Sequence, residues 1–279
     1  MPEITLSSLT MHYEEQGQGH PLIVLPGFGL EHHETMGLFE PLFSQRDGWR
    51  RLYPEMPGTG QTPANHDFTS ADQWLELIDA FVEALIPGED FTVAGESYGA
   101  YLARGLLTRK AARVLGIAMI VPVIIPLRSL RTVEEFHVFE TDLEFLDTLS
   151  PDDKIQLNDA LVLQTPKTCT RFINEIMPGV TTSDWPFLND LQRTAYAFSV
   201  DIDQVMSPCT VPTLFIAGRQ DNVVGYKDIF PVLDKFPRAT LVVIDRAGHS
   251  VSIEQESLVQ ALLHDWLDRV EQDLASNAP

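Results

Sequence analysis

A serine stands at the centre of the five residues Gly95-Glu96-Ser97-Tyr98-Gly99. An apolar run from Phe91 to Ala94 precedes them, and a helical pattern from Ala100 to Leu107 follows. A serine on a sharp turn between a strand and a helix is held in a strained backbone conformation at the top of the sheet, and flanking glycines avoid Cβ collisions with the crossing elements. The motif and its context therefore predict a nucleophile at Ser97.

A serine hydroxyl becomes an effective nucleophile only when a base accepts its proton and a third group orients that base. His249 lies directly beyond the last apolar run, where a loop can return over the sheet. His32 and His33 follow the first strand loop and could line a pocket, although we expect ordinary structural roles for them. The position of His249 predicts that it is the base.

The third group should be a carboxylate. Asp221 is the first acidic residue after the apolar run from Thr213 to Ala217, and we predict that it orients His249. Three other acidic residues remain as alternatives for this role: Asp201, Asp203 and Asp245.

Backbone amides should stabilise the oxyanion that forms when the serine attacks a carbonyl. The amide of Tyr98 directly follows the serine at a helix start. The amide of Phe28 lies between Gly27 and Gly29, which let the backbone approach a substrate closely. We predict that these two amides form an oxyanion hole.

Alternating strand and helix patterns indicate the fold that must position these residues. Short apolar runs separated by helical patterns favour βαβ units and a mostly parallel sheet flanked by helices, hence an α/β fold. An antiparallel edge piece is predicted for 4–14, and amphipathic helices for 71–85 and 257–274. The predicted parallel strands are 22–25, 51–53, 91–94, 116–121, 213–217 and 240–244.

The alternation breaks between Pro122 and Ser207. This stretch reads as helical, with no strand, and predicts a cap lying over the strand ends that controls access to Ser97. We therefore predict a core of residues 1–121 and 208–279 with a helical cap insertion at 122–207. The predicted cap helices are 132–149, 151–164, 168–176 and 185–198.

Composition excludes several classes of function. The 279 residues carry 40 acidic and 19 basic side chains, a formal net charge of -21, which repels nucleic acid and anionic lipid. No secretory signal and no membrane-spanning run is visible, so we expect a cytoplasmic protein. Its two cysteines, Cys169 and Cys209, are expected to be free thiols, although a single bridge between them stays open. No metal-ligand spacing or dinucleotide fingerprint occurs, and no cofactor is expected.

With these residues, the chain resembles the α/β-hydrolase superfamily, in particular its capped group of esterases, C–C bond hydrolases and perhydrolases. Residues 55–62, Glu-Met-Pro-Gly-Thr-Gly-Gln-Thr, are similar to the Asp-x-Pro-Gly-x-Gly-x-Ser segment of that family, and the order Ser, Asp, His matches. Two positions depart from it: Pro26 stands where a histidine is usual, and Glu55 where an aspartate is usual.

The resemblance implies a serine hydrolase that works through an acyl-enzyme on a small-molecule substrate, a small or medium carboxylic ester. A C–C bond hydrolase is an alternative, with Arg128 and Arg131 at the cap start as groups for a carboxylated substrate. A non-catalytic ligand receptor on the same fold is an alternative of another class. The residues predicted to contact substrate are Phe28, Leu30, Phe136, Phe139, Trp185 and Val223.

Overall fold

A central eight-stranded sheet organises the computed structural model, which describes residues 1–276. The strand order is β1-β2-β4-β3-β5-β6-β9-β10, and β7 and β8 pair separately. The first three strands in this order pair antiparallel, and the other pairs are parallel, so the predicted α/β fold is confirmed. The strands are β1 (Glu3–Leu6), β2 (Leu9–Gly17), β3 (His20–Leu25), β4 (Trp49–Pro54), β5 (Phe91–Glu96), β6 (Val114–Ile120), β7 (Glu140–Thr141), β8 (Leu163–Gln164), β9 (Thr213–Gly218) and β10 (Ala239–Ile244).

Helices cover the sheet, as the amphipathic patterns predict. The predicted helix over 71–85 is observed with the same bounds, and Ser70 caps it by accepting a hydrogen bond from the Gln73 amide. No helix within residues 1–276 is long and apolar enough to cross a membrane. The helices are α1 (His32–Phe43), α2 (Ala71–Leu85), α3 (Tyr98–Lys110), α4 (Leu143–Thr148), α5 (Pro151–Asn158), α6 (Pro166–Glu175), α7 (Met177–Thr182), α8 (Trp185–Thr194), α9 (Ile202–Val205), α10 (Val251–Glu254) and α11 (Glu256–Ser276).

The parallel strands explain why distant residues meet. Strands β3 and β5 pair with Leu25 opposite Gly95, and β9 and β10 pair with Gly218 opposite Ile244. All four strands therefore end at the same edge of the sheet, and the loops that follow them carry the predicted site residues. Every residue of the inner strands β5 and β9 is buried, whereas the edge strand β10 is mostly half-buried.

The segment between β6 and β9 is mostly helical, with α4 to α9 in it, and we retain 122–207 as the proposed cap. Two local predictions there are wrong. A strand pair, β7 with β8, occurs where no strand was expected, and the helix expected from residue 132 begins only at Leu143. Residues 132–139 instead donate backbone hydrogen bonds to distant partners: Thr132 to the Asp228 carboxylate, and Phe139 to the Val162 carbonyl. These tertiary bonds replace the local helical ones.

Candidate active site

Ser97 lies on the tight turn between β5 and α3. Its backbone has φ 53° and ψ -112°, and residues other than glycine rarely adopt a positive φ. The turn is tight on both sides: a Cβ added to Gly99 would lie 2.1 Å from the Leu25 carbonyl oxygen, and one added to Gly95 would lie 2.4 Å from the Gly99 carbonyl carbon. The two glycines therefore let the strand, turn and helix pack this closely.

His249 and Asp221 complete a hydrogen-bonded chain with Ser97. His249 Nε2 is 3.0 Å from Ser97 Oγ, and His249 Nδ1 is 2.8 Å from Asp221 Oδ2. Asp221 is 1% exposed, and its Oδ1 accepts from the amides of Val223 and Val224 at 2.8 and 2.9 Å. Because both oxygens are engaged, the carboxylate is fixed in the orientation that meets the imidazole.

Electrostatics around His249 favour its protonated form. Burial lowers the pKa of His249, but the charge and hydrogen bond of Asp221 and the charge of Glu96 outweigh burial, so its pKa is raised above the ordinary value. An imidazole with this environment can accept a proton from a neighbouring hydroxyl and hold it while charge develops elsewhere.

The three alternative aspartates have other partners. Asp203 lies 3.4 Å from the buried guanidinium of Arg104, and Asp201 caps α9 by accepting from the Asp203 amide. The Asp245 carboxylate accepts a hydrogen bond from the Gln220 side chain at 2.9 Å. Of the four aspartates considered, Asp221 is the one whose carboxylate hydrogen-bonds to His249.

Residues 26–30, here called the glycine loop, pass beside Ser97. The Leu30 amide donates to the Gly27 carbonyl at 3.1 Å, and Gly29 has φ +74°, which closes the loop as a β-turn. Among residues 1–276, no oxygen accepts a hydrogen bond from the amides of Phe28 and Tyr98. Backbone amides without an acceptor are the kind of donor that can stabilise a developing oxyanion.

A cavity of about 660 Å³ opens above Ser97, within the size range of small-molecule sites. Four residues predicted to contact substrate line it: Phe28, Leu30, Trp185 and Val223. Sequence reasoning did not nominate several other lining residues, among them Glu34, Glu96, Phe172, Ile176, Asn189 and Tyr196. Glu96 directly precedes Ser97 in the serine motif, so its position beside Ser97 could be predicted from the sequence.

The predictions for Phe136 and Phe139 are corrected by the structure. Phe136 borders a separate surface depression with Glu134 and Arg219. Phe139 is 41% exposed, and its ring packs against His137 and beneath the Arg246 guanidinium. Because 132–139 is extended rather than helical, these side chains point away from the cavity.

His32 lies below the glycine loop in an ion-pair network and not in the cavity lining. Its Nδ1 is 2.7 Å from carboxylate oxygens of both Glu31 and Glu55, and His33 Nδ1 is 2.7 Å from Glu31. Glu31, His32 and His33 have the donor types and proximity of a metal site. Since each Nδ1 already faces a carboxylate at hydrogen-bond distance, the arrangement is explained by hydrogen bonding between imidazole rings and carboxylates.

Comparison with known proteins places this geometry in a family. The family model of the alpha/beta hydrolase fold matches residues 20–256. Over 93% of its length the chain is 22% identical to the whole of a pimeloyl-[acyl-carrier protein] methyl ester esterase of Legionella pneumophila. It is also 22% identical, over 95% of its length and 93% of the relative, to a 2-hydroxymuconate semialdehyde hydrolase of a Pseudomonas species. A crystal structure of an alpha/beta superfamily hydrolase from Oenococcus oeni matches 97% of this chain and all of its own, with a TM-score of 0.87 and 27% identity. The chain therefore belongs to the α/β-hydrolase fold family.

Proposed function

We propose that this hydrolase is a serine esterase that acts through an acyl-enzyme. The observation that carries the proposal is the unbroken chain of hydrogen bonds from Asp221 through His249 to Ser97 at the floor of a cavity. The raised pKa of His249 and the strained backbone of Ser97 support the same proposal.

In the proposed cycle, Ser97 Oγ attacks the ester carbonyl carbon while His249 Nε2 accepts the hydroxyl proton. The carbonyl oxygen becomes an oxyanion and accepts hydrogen bonds from the amides of Phe28 and Tyr98. The C–O bond to the alcohol then breaks, and His249 returns the proton to the leaving oxygen. A water, activated by the same imidazole, hydrolyses the acyl-Ser97 ester and releases the carboxylic acid. Asp221 keeps the imidazole in the productive tautomer throughout.

The size and lining of the cavity support a substrate with a small or medium acyl or alkoxy group. Its volume of about 660 Å³ and its apolar walls from the glycine loop and the proposed cap suit an aliphatic or aromatic ester. On the cap side, Trp185 lies over the glycine loop, with its ring 2.5 Å from the place where a Gly29 Cβ would be. The proposed cap therefore contributes to the surface that selects the substrate.

One of the two arginines considered for a carboxylated C–C substrate already has backbone partners. Arg131 lines the cavity, but its guanidinium donates to three backbone carbonyls, those of Ile125, Pro126 and Val223, at 2.8 to 3.0 Å. A guanidinium used in this way has little left to offer a substrate carboxylate. Arg128, exposed at the start of the proposed cap, also lines the cavity, and a carboxylated C–C substrate therefore stays an alternative.

A fluorophosphonate probe tests the proposal without knowledge of the natural substrate, because it reacts with activated serines. Intact mass should show one adduct on the native chain and none on Ser97→Ala, and labelling of His249→Ala should be strongly slowed. A parallel screen of p-nitrophenyl esters and a ring-cleavage dienone separates ester from C–C hydrolysis. Absence of labelling on a folded native chain would refute the esterase proposal and favour a ligand receptor, which direct ligand binding would then test.

A further inference from the structure

Two buried glutamates line the same cavity as Ser97 and take no part in the proposed cycle: Glu34 on α1 and Glu96 at the end of β5. They are 5% and 4% exposed. Glu34 Oε2 accepts a hydrogen bond from the Gly27 amide at 2.6 Å, and Glu96 Oε1 accepts one from Ser252 Oγ at 3.4 Å. Glu96 Oε2 is buried without a hydrogen-bond partner among residues 1–276. One carboxyl thus holds the glycine loop, and the other lies between the nucleophile turn and α10.

The guanidinium that faces Glu96, that of Arg171, is also paired with other carboxylates. On α6, Arg171 is bound in bidentate fashion by Glu175, with both distances at 2.7 Å, and lies 3.3 Å from Glu256 on α11. Glu31, before α1, adds a further negative charge facing Glu34. The imidazole of His249, after β10, faces Glu96. His249 is therefore the group near the pair that becomes positively charged during the proposed cycle.

Two neighbouring carboxylates in a poorly hydrated site resist ionising together. Burial raises the pKa of Glu96 to about 7, although His249 and Ser252 favour its charged form. Burial and the charge of Glu96 raise the pKa of Glu34 well above its usual range, against the effect of the Gly27 amide. Burial therefore favours the neutral form of Glu34, and the pKa of Glu96 lies near neutral pH.

We propose that Glu34 and Glu96 are positioning residues that act from the cavity lining on the two charges that develop during acyl transfer. Neutral Glu34 anchors the glycine loop through the Gly27 amide, and ionised Glu96 stabilises the imidazolium of His249. This inference rests on the proposed function, because it concerns the oxyanion and imidazolium of the acyl-transfer steps.

The proposal predicts that activity falls on both sides of neutral pH, for a different reason on each side. As pH rises and Glu34 ionises, a negative charge appears at the glycine loop, where it opposes the developing oxyanion, and activity falls. As pH falls, Glu96 gains a proton and no longer supports the charge on His249. The pH profile of kcat/KM should therefore have an alkaline limb from Glu34 and an acidic limb that depends on Glu96.

The test compares three variants of the full chain, Glu34→Gln, Glu34→Ala and Glu96→Gln, in p-nitrophenyl ester hydrolysis between about pH 5 and pH 10. Glutamine at position 34 keeps an acceptor for Gly27 and cannot ionise, so loss of the alkaline limb is expected. Alanine removes the anchor and should lower kcat about tenfold, with a smaller change in KM. Glu96→Gln should move the acidic limb to lower pH. Glu83→Gln, a partly exposed surface pair with Lys110, serves as the matched control and should leave the profile native.

An unchanged alkaline limb in Glu34→Gln, or native kcat in Glu34→Ala, would overturn the proposal. Infrared difference spectra of the native chain against Glu34→Gln at neutral pH give a readout that does not depend on turnover. They should contain a protonated-carboxyl band from Glu34, and its absence would also overturn the proposal. Fluorophosphonate labelling of the native chain separates the two ideas: a chain that labels normally with an unchanged limb loses only the glutamate pair, whereas an unlabelled chain loses the esterase proposal and this one with it.

Discussion

The substitution Asp221→Asn tests whether Asp221 belongs to a working catalytic triad or only to a cluster of polar side chains. Asp221 Oδ1 accepts from the amides of Val223 and Val224, while Oδ2 faces His249 Nδ1. An asparagine side chain has one oxygen, and the two amide donors require that oxygen at the Oδ1 position. The new amide nitrogen then faces His249 Nδ1 and donates to it, so the imidazole carries its hydrogen on Nε2.

That tautomer points a hydrogen at Ser97 Oγ, 3.0 Å away, and cannot accept the serine proton. Triads in which the acid is replaced by its amide lose about 10⁴ in kcat, which corresponds to about 5.4 kcal/mol of activation free energy. The backbone anchors of the side chain are retained, so we expect the fold to survive and Tm to shift by only a few degrees.

The assay is p-nitrophenyl ester turnover, together with the rate of fluorophosphonate labelling, on the native chain and Asp221→Asn. Asp245→Asn is the matched control, because it makes the same chemical change four residues before His249 at a side chain that hydrogen-bonds to Gln220. The control should keep native kcat. A loss below about tenfold in Asp221→Asn, or an equal loss in both variants, would refute the assignment of Asp221.

Three further predictions test the surroundings of the site. Gly99→Ala places a Cβ 2.1 Å from the Leu25 carbonyl oxygen and should lower the free energy of unfolding by about 3 kcal/mol, as measured by urea unfolding. The control is Gly88→Ala, whose Cβ would meet open space and which should cost only about 1 kcal/mol. Trp185→Ala removes a cavity wall and should raise KM for medium acyl esters about tenfold, because roughly 1.5 kcal/mol of apolar contact with the substrate is lost. An unchanged KM would show that the cap side does not contact substrate. Burial lowers the pKa of His32, but its carboxylate partners raise it to a net value of about 9. The raised pKa means that its contribution, about 3 kcal/mol, is complete below the unfolded value and is lost as pH rises through about 9. Native Tm should fall over that interval, and His32→Gln should lack this part of the fall.

Most of the fold could be predicted from the strand and turn patterns of the sequence. All six predicted parallel strands are observed, with bounds within two residues of those predicted. Inner strands such as β5 and β9 stand out in the sequence because strands buried on both faces must be largely apolar. The position of Ser97 was equally readable, since Gly95 and Gly99 are required by contacts within a short stretch of chain. Local chemistry decides these features, so local sequence reports them.

The proposed cap was less readable. The stretch 132–149 has helical periodicity, but the carboxylate of Asp228 and the carbonyl of Val162 draw its first half into an extended path. Phe136 and Phe139 consequently lie outside the cavity. Short segments with few buried side chains follow the tertiary partners that their backbone finds, and those partners lie tens of residues away in sequence.

By itself, the sequence determined the α/β class, the strand-turn-helix at Ser97 and the nomination of His249 and Asp221, because each depends on residue type and position relative to a strand end. Only the tertiary structure brought Asp221, and not its rivals, to His249, since a hydrogen bond of 2.8 Å between side chains 28 residues apart depends on how two loops meet at the sheet edge. It also brought Glu34 and Glu96 to one cavity wall. Two carboxyls far apart in sequence perturb each other only once folding has removed the water between them, and that is why their pairing had no signature in the chain.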